Sequence, residues 1–500
     1  MNYRKLLSYL TVLLFLGLAS LPAWGMLFPA FTWDAGENRA LAHWPRPFTP
    51  QGAEDWFDDH FALRGPMTAL YNRVNARTGL TEVNGVATGR DGWLYYMYDG
   101  SREDIRREIH YSPQELERIC SAQQQAKDDL AAMGIDYYLV ICPDKHTVYP
   151  EFLPESLSGY TGPSRLDGML EAMSKNTDVK VIDTRQTVID EKQNHRVFFK
   201  TDTHWNGYGA FAAYEQIIGR IGEDHPSVRQ IAREDCDVLI DENWREGDMA
   251  GFIGQADTLV DTDVTFQVKD SSLVRLESPY AETSDDPDRP ILCMENPAHP
   301  ELPTAVVFRD SFCKKLYPML ADSFSKVTFV WSTSVMYSIV ENEQPDLVIM
   351  EYVERYSGYA ANGMDAPEAK LADYESGNLP LPEHKGLIRS NVDGMDTSRE
   401  ICTLAGWAFD PDGDCLKGDK HIALVCGEDI VWCETASVLR PDVTAAYADS
   451  LGGKNVDYAG FSASFRKSDL HPGKWQVIVV IDDGAGNAAY TELDKRVRID

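Results

Sequence analysis

Apolar residues recur along this chain with two periods, and the change from one to the other marks its main division. From about residue 113 helical spacing alternates with short apolar runs. Pro113–Met133 and Arg165–Lys175 read as helices. In Gly207–Ile221, Phe211, Tyr214, Ile217, Ile218 and Ile221 fall on one helical stripe. The runs Ile135–Ile141, Val179–Ile182, Thr304–Phe308, Lys326–Trp331 and Asp346–Val353 read as strands. Strands apolar on both faces and separated by helices predict an α/β fold, a parallel sheet flanked by helices.

Upstream, Asp55–Arg64 spaces aromatics at helical intervals, and Gly89–Tyr96 reads as a tight Asp-Gly turn entering an aromatic strand. Residues 222–300 are less regular and read as a long insertion. Pro, Gly and charge accumulate over Pro367–Lys385, the pattern of a linker. Beyond about Ile388 short runs such as His421–Cys426 and Trp475–Ile481 alternate with Gly and Asp turns, predicting a C-terminal all-β sandwich, Ig-like or carbohydrate-binding-like. The expected units are 34–385 for the α/β domain and 386–500 for the sandwich.

Residues 1–33 form a third segment. Arg4 and Lys5 precede the uncharged run Leu6–Trp33, and about twenty helical residues cross roughly 30 Å of hydrocarbon. The segment reads as a transmembrane signal anchor, with a signal peptide cleaved near Ala19–Ala23 as the alternative. Either reading puts the rest of the chain outside the cytoplasm, in the periplasm or at the cell surface.

The net charge of −32 excludes a general nucleic-acid binder, which needs clustered Lys and Arg against phosphates. It leaves room for a polysaccharide, read by aromatic faces and hydroxyl hydrogen bonds. Of nine cysteines, Cys402, Cys415, Cys426 and Cys433 lie close enough in sequence to pair, in any of three connectivities. The chain has no CxxC pair, HExxH, EF-hand or phosphate-binding Gly loop, so no metal and no cofactor are expected.

A serine nucleophile needs an imidazole to take its proton and a carboxylate to orient that imidazole. Asp-x-His supplies the last two, since residues i and i+2 of an extended segment share a face. Spacing alone does not choose among Asp58/His60, Asp144/His146, Asp202/His204, Asp419/His421 and Asp469/His471. Asp-Ser-Phe also occurs twice, at Asp310–Phe312 and Asp322–Phe324. Ser311 follows the strand Thr304–Phe308, at the carboxyl edge where ligands of open α/β sheets sit, whereas Ser323 precedes a strand. His204 lies in a polar loop just before a helix. His146, after the strand Ile135–Ile141, is its rival.

The run Asp202-Thr203-His204-Trp205-Asn206-x-x-Gly209-Ala210, followed by Phe308-Arg309-Asp310-Ser311-Phe312, resembles the SGNH hydrolase-like domain of the alginate O-acetylation proteins and their Asp-His-His-Trp relatives. Gly89–Tyr95, Pro143-Asp144-Lys145, Tyr149-Pro150-Glu151, Pro345–Ile349 and Glu354-Arg355 extend the likeness over roughly residues 50–360. Ordinary SGNH esterases place the serine block first, whereas here Asp-x-His precedes it. Arg309 also stands where the family's serine block usually begins with Gly.

The resemblance implies a flavodoxin-like sheet, Ser311 as nucleophile, His204 as general base and acid, and Asp202 as its orienter. It further implies acetyl transfer onto an exported or cell-wall polysaccharide, with acetyl supplied through a membrane-bound O-acyltransferase. Trp205, Arg309 and Arg355 are candidate substrate contacts, although Arg355 with Glu354 also reads as a structural ion pair. Trp93, Tyr95, Tyr96 and Trp407 are each either core or sugar-stacking residues. The same triad would serve an acetylesterase, and the same fold an inactive polysaccharide-binding scaffold.

Overall fold

The computed structural model describes residues 56–57, 82–280, 289–361, 388–411, 420–427, 429–451, 456–482 and 488–499. The expected anchor, most of the Asp55–Arg64 helix, the linker and Cys415 lie outside them. Among the described residues no helix is long and apolar enough to cross a membrane.

A three-stranded antiparallel unit comes first: β1 (Glu82–Val83), β2 (Val86–Thr88) and β3 (Leu94–Tyr96). The Asp-Gly turn before β3 holds Asp91 at φ 53° and Gly92 at φ 78°, left-handed backbone that Gly and Asp tolerate best.

The central sheet takes β4 (Asp136–Cys142) and β5 (Lys180–Asp183). The strands β6 (Cys236–Trp244) and β7 (Asp261–Val268) form a separate antiparallel ribbon. The central sheet then adds β8 (Val274–Leu276), β9 (Leu292–Glu295), β10 (Thr304–Arg309), β11 (Lys326–Trp331) and β12 (Leu347–Val353). Its order is β5-β4-β12-β10-β11-β9-β8. The first five strands run parallel, while β9 is antiparallel to both β11 and β8. The sheet is therefore mixed rather than wholly parallel. The departure arises in the irregular 222–300 stretch, whose strands are too short to declare themselves by periodicity.

Helices cover both faces. One core joins Val140, Ile182, Val307 and Leu347 to Phe211, Tyr214 and Ile218 of α3 (Gly207–Asp224). The other joins Leu139, Ile141, Val306 and Phe308 to α1 (Pro113–Ala132) and α2 (Arg165–Asn176). Ser112 caps α1 and Ser164 caps α2, each with a reciprocal carboxylate three residues on. These boxes satisfy first-turn N–H groups and fix where each helix starts.

The C-terminal region holds two four-stranded antiparallel sheets. One contains β13 (Arg389–Asp396), β14 (Ile401–Phe409), β17 (Glu434–Val438) and β18 (Gly460–Arg466). The other contains β15 (Lys420–Cys426), β16 (Asp429–Trp432), β19 (Gly473–Asp482) and β20 (Ala488–Ile499). Trp475, Leu404, Phe461 and Val477 fill the space between them. Trp407 is half-buried and packs on Phe409 and Tyr447 in a separate cluster. A helix over Pro441–Leu451 interrupts the strands, which weak helical periodicity does not predict. The cysteines described here, Cys402, Cys426 and Cys433 among them, are free thiols.

Candidate active site

The site assembles at the carboxyl edge of the parallel strands. β10 ends at Arg309, and Ser311 opens a tight turn over Phe312–Lys315. Asp310 sews this turn to the neighbouring strand. Its carboxylate accepts the N–H of Phe312 at 2.8 Å and of Val353 at 2.7 Å, and its own N–H donates to Glu351 at 3.0 Å. Burial and the adjacent Asp310 charge push the Glu351 carboxyl well above its usual range.

The imidazole arrives from α3's amino-terminal approach. Asn206 caps α3, accepting from the N–H groups of Tyr208 and Gly209. A Cβ on Gly209 would lie 2.5 Å from the Val197 carbonyl, so the helix start packs where only Gly fits. Just before the cap, Trp205 is fully buried and its indole N–H donates to the Phe312 carbonyl at 3.0 Å. One aromatic side chain thus ties the histidine loop to the serine turn.

Asp202, His204 and Ser311 come together in hydrogen-bonding order. His204 Nε2 lies 2.8 Å from Ser311 Oγ, and His204 Nδ1 lies 2.7 Å from Asp202 Oδ1. The Asp202 carboxylate also accepts the N–H of His204 and of Asp248, each at 2.9 Å. Burial alone would raise Asp202, but the His204 charge and these donors outweigh it and hold the carboxyl below its usual range. Burial alone would lower His204, but the Asp202 carboxylate, helped by Asp248, raises it. An imidazole held this way is a stronger base.

Asp248 belongs to a short helix, α4 (Asp248–Phe252), inside the irregular stretch. Its carboxylate accepts the Thr203 hydroxyl at 2.5 Å and the Thr203 N–H at 2.8 Å. Burial and the Asp202 charge raise it to about 6.

The triad opens into a cleft of 470 Å³, also lined by Tyr96, Arg245, Asp248, Arg289, Lys314, Trp331, Arg355 and Tyr356. Arg355 is buried in an ion pair with Asp144 and takes that carboxylate's other oxygen with its main-chain N–H at 2.8 Å. Its guanidinium carbon lies 5.2 Å from the Phe312 ring centre. It is thus both the ion-pair partner and the cleft-lining residue that its position suggests, although the pair is with Asp144 rather than Glu354.

Two expected substrate contacts are corrected. Trp205 has no exposed surface, because its ring fills the core under the serine turn. Arg309 is 1% exposed, donates to the Pro290 carbonyl and lies against Trp331 and Tyr317. Trp93 and Tyr95 are likewise core residues, while Tyr96 reaches the cleft.

The rivals sit elsewhere. Ser323 is fully buried, bonded to Tyr214 and to the Met319 carbonyl. His146 is buried among Asp104, Asp144 and Glu354. His471 pairs with Asp429 in the C-terminal region.

Among the described residues, two groups bring ligand atoms within 4.8 Å of one another, Asp202/His204/Asp248 and Asp144/His146/Glu354. The first is committed to the hydrogen bonds above. In the second, Arg355 already neutralises Asp144, and Thr147 and the Asp144 N–H both donate to Glu354 Oε2.

Residues 86–287 match the family model described as an SGNH hydrolase-like domain, acetyltransferase AlgX. That segment is similar to an SGNH hydrolase-like domain. The match takes in Asp202 and His204 and ends before Ser311. The protein named "Probable alginate O-acetylase AlgJ" from Pseudomonas syringae pv. tomato is 27% identical over 226 residues, 44% of this chain and 54% of that one. Its namesake from Pseudomonas aeruginosa is 25% identical over 205 residues, 39% of this chain and 49% of that one. The chain thus spans about half the length of the curated relatives it matches. The O-acetyltransferase domain of Pseudomonas putida AlgJ is 18% identical with TM-score 0.36, covering 55% of this chain and 92% of that one. A DHHW family protein from Eubacterium siraeum is 15% identical with TM-score 0.42, covering 58% and 96%.

Proposed function

We propose that this protein is an extracytoplasmic O-acetyltransferase that moves an acetyl group through an acetyl-Ser311 onto an exported or cell-wall polysaccharide. The observation that carries this reading is the hydrogen-bonded order Ser311–His204–Asp202 at 2.8 and 2.7 Å, opening into a cleft of an SGNH-like domain. The likeness to acetyltransferase AlgX and to the alginate O-acetylases supports the choice of acetyl as cargo.

In the first half-reaction His204 Nε2 takes the Ser311 proton as Oγ attacks the acetyl carbonyl. The tetrahedral intermediate collapses, the bond to the donor breaks, and His204 returns the proton to the leaving group. In the second, a sugar hydroxyl gives its proton to His204 and attacks the acetyl-serine. Ser311 Oγ leaves and recovers that proton. Asp202 keeps His204 in the tautomer that presents Nε2 to the serine. The Ser311 main-chain N–H and the Arg355 guanidinium are assigned to the developing oxyanion, where one such donor contributes about 3 kcal/mol.

The cleft adds detail to the acceptor. Arg245, Arg289, Lys314 and Arg355 line it beside Glu246 and Asp248 in a chain of net charge −32, with Arg289 over the Trp331 ring and Arg355 over the rings of Tyr96 and Tyr356. Four cations against two carboxylates in the lining suit an acidic sugar chain. The further parts of the reading are a membrane-bound O-acyltransferase as acetyl source, a membrane anchor in 1–33, and separate units at 34–385 and 386–500.

A carbohydrate acetylesterase is the second reading, favoured by one observation: His204 is a quarter exposed, so water reaches it. Incubating the protein with an acetyl-ester chromogen, with and without acidic and neutral oligosaccharides, separates the readings. Transfer predicts acetylated oligosaccharide and faster chromophore release when acceptor is present. Release that is indifferent to acceptor favours the esterase. Equal release by Ser311→Ala defeats both and leaves the binding scaffold.

A further inference from the structure

Lys145 opens the short helical turn after β4 and is 4% exposed. Its ammonium donates to the Leu94 carbonyl at 3.0 Å and to the Asp202 carbonyl, with the Lys200 carbonyl at 3.4 Å. An ammonium has three donors, and here three main-chain oxygens receive them. Leu94 belongs to β3, while Lys200 and Asp202 bracket the turn that presents His204. One buried cation therefore ties the amino-terminal hairpin and the sheet edge to the residue that orients the imidazole.

The surroundings explain why the charge persists there. Asp202 and Asp248 approach from the histidine loop and α4, and Asp261 from β7, where it accepts the N–H groups of Lys200 and Thr201 at 2.6 and 2.9 Å. Arg196 opposes them and pairs with Asp261, while Lys145 and Lys200 both face the Trp93 ring. A methionine would fill much the same volume and offer none of these donors.

We propose that Lys145 is a positioning residue for the Ser311 chemistry: its charged ammonium holds the Asp202 main chain, and through it His204, and loss of its proton releases that loop. This rests on the serine-transfer reading above. A neutral amine would turn its lone pair toward one of three carbonyl oxygens, exchanging attraction for repulsion. Burial lowers the Lys145 group to about 7 against the pull of Asp202, Asp248 and Asp261. The release thus falls at neutral to mildly alkaline pH.

The test is the pH dependence of chromogen release by the full chain as wild type, Lys145→Arg and Lys145→Met, with the Ser311→Ala rate subtracted. Wild type should lose activity on the alkaline side of neutrality. Lys145→Arg, whose guanidinium stays charged, should hold its activity to about pH 9. Lys145→Met should lose about tenfold or more in kcat with KM within about twofold, as expected when orientation rather than binding is lost. An alkaline limb shared by wild type and Lys145→Arg, or Lys145→Met at wild-type kcat, overturns the proposal. Independently of activity, the Cε1–H resonance of His204 in wild type, assigned against His204→Gln, should show a second inflection above neutral pH. Its absence overturns the proposal even where the variants do not fold. Wild-type release no greater than that of Ser311→Ala would instead defeat the serine reading, leaving the resonance to judge Lys145.

Discussion

Asp248 Oδ2 lies 3.8 Å from His204 Nδ1, beside an imidazole that already engages Asp202 at 2.7 Å. His204 thus has two carboxylates at one nitrogen, one bonded and one near. Both raise its pKa, and it must be neutral to accept the Ser311 proton, so activity rises with pH as His204 loses its proton. Removing one carboxylate lowers that pKa. Asp248→Asn should therefore move the acid limb of kcat/KM to lower pH. An unmoved limb in the pH–rate profile would show that Asp248 does not reach the imidazole electrostatically.

Gly247 packs against the same loop. A Cβ there would stand 2.6 Å from both the carbonyl oxygen and the hydroxyl of Thr201, and the Thr201 carbonyl also accepts the Ala250 N–H at 3.0 Å. Backbone must shift to admit a methyl group. Since small displacements of a positioned base are costly, Gly247→Ala should lower kcat about tenfold or more while the far-UV spectrum is unchanged. Steady-state kinetics with circular dichroism checks this, and wild-type kcat would mean that the loop yields freely.

Trp205 offers a stability test. Trp205→Phe removes the donor to the buried Phe312 carbonyl and leaves part of the indole volume empty. An unsatisfied buried acceptor and a small cavity together should cost about 2–4 kcal/mol in urea unfolding. Activity should fall in parallel, because the serine turn loses its link to the histidine loop. An unchanged unfolding midpoint would contradict this tie between the histidine loop and the serine turn.

Much of the framework is legible in the chain itself. The runs over 135–141, 304–308, 326–331 and 346–353 are strands within a residue or two, since apolar periodicity and flanking turns are local properties. The start of α3 is equally local, set by the Asn206 cap and the close approach at Gly209. The edge strands β8 and β9 are not legible, being three and four residues long and stabilised by pairing with each other and with β11.

The site divides in the same way. The sequence by itself determined the covalent neighbourhoods: a serine just after a buried strand, a histidine two residues from an aspartate, and a cap that starts a helix. It could not rank the repeated Asp-x-His and Asp-Ser-Phe motifs by spacing. Tertiary structure decided that Ser323 is buried against Tyr214, that His146 sits in a separate charged cluster, and that Trp205 and Arg309 face the core. It also brought Asp248 and Lys145 to the triad, the first from an irregular segment and the second from the end of β4. Helix and strand patterns arise from neighbours a few residues apart, whereas His204 meets Ser311 across 107 residues. Only the packed sheet edge closes that distance.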